Sequence, residues 1–202
     1  FDYVEMSIDE TDEKLARLDM TAGELDEIRA AMRATGLSFR SICLSGHRKY
    51  PLGCPDPAKQ AQSLEIMKKA VRLAAELGIR TIQLAVEKAM HYVRQVDSPY
   101  LGVYPDAGNI TNAALLYHGD PIKDLETGRG HIVAVHLKET VPGKYREIPF
   151  GTGHVDFQAI ADKTWDLGVR RYVAEFWYDP ATDWQEELSK ANDFIRNYLD
   201  KE

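Results

Sequence analysis

The sequence is poor in cysteine, in positive charge and in long apolar runs. Of its 202 residues only Cys43 and Cys54 are cysteines, too few for a disulfide framework or a structural zinc site built from thiolates. A formal net charge of −7 disfavours nucleic acid or an anionic membrane as a partner, because either needs a basic surface. No apolar run approaches the roughly 18 residues of a membrane span, and no leader-like pattern opens the chain. We therefore expect a cytoplasmic protein.

What is present is an ordinary globular composition in which strand-like and helix-like stretches alternate. Thr21 and Glu24 form a capping-box pattern, Asp56 precedes a proline, and Gly36 and Gly78 stand where helices should end. Period-two apolar alternation predicts six strands, at residues 1–7, 39–44, 79–85, 100–104, 131–138 and 171–177. No internal repeat or linker interrupts the pattern, so we expect one α/β domain over residues 1–202.

One junction breaks this alternation. The strand-like stretch 79–85 runs directly into the helix-like stretch 86–93, with neither a loop nor a cap. Connections of this kind normally take about 2–6 residues. We therefore predict a missing segment between Ala85 and Val86. A second one is expected before Phe1, because the first residues read as a strand already under way.

Three polar residues fall at or near the carboxyl ends of consecutive predicted strands: Asp106, His136 and Glu175. Parallel α/β sheets place their active sites at that edge. Alone, the aspartate could be a helix cap and the histidine a core residue. Glu175 is flanked by apolar residues and is costly to bury unless it is paired or bound to a metal. Together the three offer oxygen, nitrogen and oxygen ligands suited to Mn²⁺, Zn²⁺, Co²⁺ or Mg²⁺.

Other polar side chains collect at the same predicted edge. The basic run that begins with His47 and Arg48 could hold a phosphate or could be a solvated loop. Lys138 shares a strand face with His136, and Asn109 follows Asp106 closely, so both could touch a ligand. Gly151 and Gly153 flank a turn that could offer backbone N–H groups to an anion, although a tight turn is the simpler reading. The candidate substrate-binding residues are Glu5, His47, Arg48, Gln83, Asn109 and Lys138.

Five stretches of the sequence, in order along nearly the whole chain, resemble the L-ribulose-5-phosphate / L-xylulose-5-phosphate 3-epimerase family. They are residues 1–12, 43–48, 104–109, 131–138 and 149–157. The family belongs to the xylose-isomerase-like (β/α)₈ TIM barrels, which typically need about 250 residues. The resemblance therefore implies that this α/β chain is such a barrel and that its strand 1 and strand 5 regions are absent.

The resemblance also implies the chemistry. Family members hold a divalent metal with Glu, Asp, His and Glu, and the two glutamates act as acid and base on opposite faces of the sugar. Asp106, His136 and Glu175 match the second, third and fourth ligands. The first glutamate ends the fifth strand, in the stretch expected after Ala85, and has no counterpart here. The implied enzyme is an isomerase of pentulose and ascorbate catabolism, a homodimer, that epimerises a ketopentulose 5-phosphate at C3 through an enediolate.

Three alternatives stay open on sequence grounds. A phosphosugar aldose–ketose isomerase, such as a hexulose-6-phosphate isomerase, would keep the barrel and the metal. A nuclease resembling endonuclease IV is disfavoured by the acidic charge. A non-catalytic sugar-phosphate binding protein would explain the absent fifth-strand glutamate.

Overall fold

The computed structural model describes residues 1–51, 54–84, 90, 93–94, 97–177 and 179–200. The chain divides into two compact units, Phe1–Glu87 and Lys88–Glu202, and each has its own parallel sheet and hydrophobic core. Within the described part, no helix has both the length and the apolar character that crossing a bilayer requires. The predicted junction between Ala85 and Val86, and most of the helix-like stretch after it, lies outside the described residues.

In the first unit three parallel strands lie in the order β1, β2, β3. They are β1 (Val4–Ser7), β2 (Phe39–Leu44) and β3 (Thr81–Leu84). The helices between them are α1 (Asp12–Ala16), α2 (Ala22–Thr35) and α3 (Pro57–Leu77). Parallel neighbours need such crossovers, since a tight turn can only join antiparallel strands. Ile42 and Leu44 of β2 are fully buried against Ile66 and Leu73 of α3, which makes this sheet face the core of the unit.

The helix ends of this unit follow the signals in the sequence. Thr21 accepts a hydrogen bond from the Glu24 amide, and the Glu24 carboxylate accepts one from the Thr21 amide, so the predicted capping box is confirmed. Asp56 caps α3 in the same way through its side chain. Gly36 and Gly78 end α2 and α3 with φ of 71° and 70°, a conformation that costs glycine little.

The second unit is built on two parallel strands, β4 (Val135–Leu137) and β5 (Tyr172–Ala174), with His136 opposite Val173. Its helices are α4 (Ala107–Tyr117), α5 (Pro121–Thr127), α6 (Phe157–Asp166) and α7 (Trp184–Leu199). Val135 and Leu137 point into an apolar core shared with Phe157 and Ile160 of α6. His136, between them in sequence, therefore points to the other face of the sheet.

One predicted strand is wrong. Residues 100–104 form no strand and keep a single bridge, at Val103. The Leu101 amide bonds to the Ser98 carbonyl in a turn, and Pro105 has no N–H to extend a ladder. The predicted strands at 131–138 and 171–177 are also shorter than expected: the paired strands are 135–137 and 172–174, and Ile132 adds only the single bridge to Val103.

Candidate active site

Three neighbouring backbone segments of the second unit bring the predicted ligands together. His136 lies in the middle of β4, and its amide donates to the Pro105 carbonyl at 2.9 Å, which places Asp106 beside it in a parallel bridge. On the other side the Glu175 amide, just after β5, donates to the Leu137 carbonyl at 2.9 Å. The three side chains therefore leave adjacent backbone segments close to one another, as the alternation in the sequence predicts.

The ligand atoms of Asp106, His136 and Glu175 all lie within 4.8 Å of one another. His136 Nδ1 is 3.0 Å from Glu175 Oε2 and 3.9 Å from Asp106 Oδ2. Asp106 and His136 are almost fully buried, whereas the Glu175 side chain keeps 31% of its surface exposed. The Tyr104 ring packs at 4.7 Å from the imidazole. Glu175 is thus the member of the group that solvent, or a ligand, can reach.

The two carboxylate oxygens of Asp106 have different partners. Oδ1 accepts a hydrogen bond from the Asn109 amide at 2.8 Å and caps α4. Oδ2 faces His136 and the ammonium group of Lys138, which is 2.8 Å away. The residue is therefore a helix cap and a member of the polar cluster at once.

Lys138 is a buried cation in this cluster. Its Nζ also donates to Asn109 Oδ1 at 2.9 Å, lies 3.8 Å from Glu175 Oε1 and stands 6.0 Å from the Trp177 ring centre. A Cβ on Gly108 would lie 3.0 Å from the Lys138 carbonyl oxygen and 3.3 Å from its Cε. Glycine at this position therefore lets α4 approach the lysine, which brings Asn109 and Lys138 into the same site as Asp106.

The electrostatics of the two carboxylates differ. Burial raises the pKa of Asp106, although the positive charge of Lys138 opposes that rise. Burial also acts to raise the pKa of Glu175, but the hydrogen bond from His136 and the charge of Lys138 outweigh it and lower this pKa to about 2. Glu175 is therefore ionised at neutral pH.

The donor set fits a divalent cation. It combines two carboxylates with an imidazole and contains no thiolate, which suits Mn²⁺, Zn²⁺, Co²⁺ or Mg²⁺ in a catalytic rather than a structural site. The cluster already attracts a positive group, since the Lys138 ammonium lies against Asp106. Three protein ligands would leave coordination positions open for a substrate.

A further carboxylate beside the site was missed at the sequence level. Glu139 is 2% exposed and accepts hydrogen bonds from the backbone amides of Thr140, Gly151 and Val155. A Cβ on Gly153 would lie 2.3 Å from its Oε1. The loop at residues 151–153, whose N–H groups could bind an outside anion on sequence grounds, thus lies against a carboxylate of the chain itself. The only signal in the sequence was an acidic residue where the alternation expects an apolar one.

The other predicted substrate-binding residues belong to the first unit. Glu5, in β1, accepts a hydrogen bond from Ser41, and Gln83 is half-buried in β3. His47 follows β2, is 3% exposed and contacts the Ser63 carbonyl at 3.1 Å through Nε2. Its Nδ1 is buried with no hydrogen-bond partner among the described residues, and burial lowers its pKa. Arg48, next to it, is exposed.

Comparison with known proteins identifies the fold family of this chain. Residues 1–88 and 85–198 match the family model described as "Xylose isomerase-like TIM barrel". A D-psicose 3-epimerase crystallised in the presence of D-fructose shares the fold with a TM-score of 0.74 at 14% identity, covering 100% of this chain and 90% of that one. A zinc-bound IolI protein does so with a TM-score of 0.62 at 14% identity and the same coverage. The predicted xylose-isomerase-like TIM barrel is confirmed.

A curated relative narrows the assignment. The L-ribulose-5-phosphate 3-epimerase UlaE of Escherichia coli O139:H28 (strain E24377A / ETEC) is 34% identical over 249 aligned positions, which cover 100% of this chain and 86% of the relative. The chain therefore belongs to the L-ribulose-5-phosphate 3-epimerase family within the xylose isomerase-like TIM barrels. The predicted family and the predicted isomerase class are confirmed with it.

Proposed function

We propose that the chain is a metal-dependent 3-epimerase that interconverts L-ribulose 5-phosphate and L-xylulose 5-phosphate. The observation that carries the proposal is the convergence of Asp106, His136 and Glu175, whose ligand atoms lie within 4.8 Å of one another. The name of the 34% identical relative supports the substrate. The zinc in the IolI structure supports a metal in this fold. Pentulose and ascorbate catabolism is the metabolic setting that the relative suggests.

Asp106, His136 and Glu175 would hold the divalent cation. When bound, such an ion lowers the cost of the negative charge that develops on the sugar oxygens as the C3 proton leaves. Two of the ligands are held by backbone hydrogen bonds. Asp106 Oδ1 accepts one from the Asn109 amide as it caps α4, and the His136 amide donates one to the Pro105 carbonyl. Ligands held in place in this way can stabilise the negative charge on the sugar oxygens without rearranging during the reaction.

Glu175 is the candidate acid/base group. It is ionised in the metal-free chain, it keeps part of its surface exposed, and the hydrogen bond from its backbone amide to the Leu137 carbonyl fixes its position beside β4. A positioned carboxylate of this kind can remove the C3 proton, which lies next to the C2 carbonyl of the sugar. Asn109 and Lys138, beside Asp106, would orient the sugar oxygens. His47, Arg48, Gln83 and Glu5 stay substrate-binding predictions, as does the homodimer.

Inversion at C3 also needs an acid/base group on the opposite face of the sugar, because one carboxylate can return the proton only to the face it came from. The 249 aligned positions exceed the 202 residues of this chain by 47, so about 47 positions of the relative have no counterpart here. The two matches to the family model meet at residues 85–88. We place the absent fifth-strand region, and with it the first of the family's two glutamates, between Ala85 and Val86.

The experiment separates proton exchange from inversion. The Mn²⁺-loaded chain is incubated with L-ribulose 5-phosphate in D₂O, and NMR follows deuterium at C3 and the appearance of L-xylulose 5-phosphate. The same assay is run on a form with the relative's stretch inserted after Ala85. We expect exchange in both forms and a higher ratio of inversion to exchange in the restored form. Binding without exchange in either form would support the sugar-phosphate binding protein instead.

A further inference from the structure

We propose that Lys138 is an internal counter-ion that competes with the divalent cation for Asp106. The cation must displace the Lys138 ammonium group from Asp106 before that ammonium group can contact the substrate. The inference rests on the proposed metal site and adds an order of events to it. Nothing in the family resemblance or in the relatives' names assigns this role to a lysine.

The competition follows from the partners of one carboxylate. Asp106 Oδ1 is committed to the Asn109 amide, because it caps α4. Oδ2 is the oxygen left for a metal, and it is the Asp106 oxygen that faces His136 Nδ1 at 3.9 Å. Lys138 Nζ already lies 2.8 Å from that same Oδ2. Ammonium and metal would therefore share one oxygen atom.

Charge and burial disfavour a site in which the Lys138 ammonium group and a divalent cation both contact Asp106. Lys138 is 3% exposed and Asp106 is 8% exposed, so water screens their interactions little. A divalent ion placed between Asp106, His136 and Glu175 would lie within a few ångströms of the ammonium, which repels it. The loss of the Asp106–Lys138 pair is then part of the free energy of metal binding.

The Lys138 ammonium group has a second hydrogen-bond partner besides Asp106. Asn109 Oδ1 accepts from Nζ at 2.9 Å, and Asn109 is itself held in the first turn of α4 by Asp106 Oδ1. A flexible four-carbon stem allows Nζ to leave Oδ2 while keeping this bond. The displaced ammonium group would then donate its remaining N–H groups to a sugar oxygen. Because this contact forms only after the metal has displaced the ammonium group, the metal would bind before the substrate.

A purely structural lysine predicts the opposite sign. If Lys138 only held the site together, its removal would loosen Asp106 and weaken metal binding. If it competes, its removal leaves Oδ2 open and strengthens metal binding, while the metal-free protein loses stability because a buried carboxylate loses its counter-ion. Tighter binding is a change that structural damage does not produce.

The test is a calorimetric titration of the metal-free chain with Mn²⁺. We expect Lys138→Met to lower the Mn²⁺ dissociation constant about tenfold, and Mn²⁺ to raise the melting temperature more in this variant than in wild type. Lys138→Gln, which keeps hydrogen-bonding capacity and guards against a folding failure, should shift the constant the same way. Lys138→Arg, which keeps the charge, should not tighten binding. Lys163→Met is the matched control, because that lysine pairs with Glu126 away from the site.

The outcomes separate the two proposals. An unchanged or higher dissociation constant in both neutral variants overturns the competition and leaves the metal site standing. A wild-type chain that binds no Mn²⁺ overturns the metal site of the proposed function itself. Tighter binding in Lys163→Met as well would show a general charge effect and would also overturn the inference.

Discussion

Two buried histidines, one in each unit, show what separates a metal site from an ordinary polar contact. His136 and His47 are 2% and 3% exposed, and both lie in or just after a parallel strand. His136 has two carboxylates around its Nδ1. His47 has a neutral carbonyl, that of Ser63, at its Nε2. A place in or just after a parallel strand is common to both, and only the charged neighbours make His136 a metal ligand candidate.

The contrast also limits what His47 can do. A carbonyl only accepts, so Nε2 carries the proton and Nδ1 is an acceptor. Burial lowers the pKa of His47 and keeps the ring neutral, which suits a hydroxyl group better than a phosphate. Lys49 pairs with Asp12 at 3.0 Å. The prediction that the basic run binds a phosphate therefore rests mainly on Arg48.

The largest effect is expected at the acid/base position. Glu175→Gln should reduce deuterium exchange at C3 of L-ribulose 5-phosphate by about 10³-fold, because the amide cannot take the proton. NMR in D₂O measures it. Glu187→Gln, a half-buried position on α7 that pairs with Lys190, is the control and should exchange at the wild-type rate. Exchange at the wild-type rate in Glu175→Gln would remove the glutamate from the mechanism.

A second large effect is expected on metal affinity at Asp106. Asp106→Asn keeps an oxygen for the helix cap but loses the charge at Oδ2, so the Mn²⁺ dissociation constant should rise about 100-fold or more. Calorimetry measures the constant. Asp156→Asn is the matched control, because Asp156 caps α6 through the same side-chain geometry. Equal losses in both variants would mean that helix capping, and not ligation, explains the result.

A moderate effect is expected on acid stability through His47. Its folded-state pKa lies below the ordinary 6.5, so the stability it supports is complete above pH 6.5 and is lost as the pH falls further. Between pH 7.5 and 5.5 the melting temperature of His47→Gln should therefore fall less than that of wild type. The exposed His131 provides the control substitution, His131→Gln. An unchanged decline in His47→Gln would contradict a neutral buried ring.

The smallest effect is expected at the surface. Hydrogen bonds from Arg129 and Lys163 lower the pKa of Glu126 to about 2, from an ordinary 4.5. The stability that this carboxylate adds is complete above pH 4.5 and is lost as the pH falls toward 2. Glu126→Gln should lower the melting temperature slightly at pH 6, and the difference should shrink at pH 3.5 and in high salt. A difference that grows in acid would contradict the ion-pair explanation.

Much of the fold and part of the site could be predicted from the sequence, because the signals are local. The capping box at Thr21 needs only its neighbours three residues on, and strand alternation needs only residue parity. Parity together with the common edge of a parallel sheet was enough to group Asp106, His136 and Glu175.

The contacts that could not be predicted are those between distant segments. Lys138 meets Asp106 across 32 residues of sequence, at a place where Gly108 leaves room for α4, and Glu139 is satisfied by a loop 12 to 16 residues further on. The prediction of a strand at 100–104 is wrong for a similar reason. Strand formation depends on which segments lie alongside, and the β-propensity of the residues does not contain that information. Whether a strand-end histidine meets a carboxylate or a carbonyl is likewise a matter of tertiary neighbours.

The most direct test of the central claim is the metal dependence of proton exchange at C3. The chain is stripped with a chelator, assayed with L-ribulose 5-phosphate in D₂O, reloaded with Mn²⁺ and assayed again, beside His136→Ala treated identically. The account predicts no exchange in the stripped wild type, exchange after reloading, and none in His136→Ala in either state. Exchange in the stripped wild type, or restored exchange in His136→Ala, would contradict it.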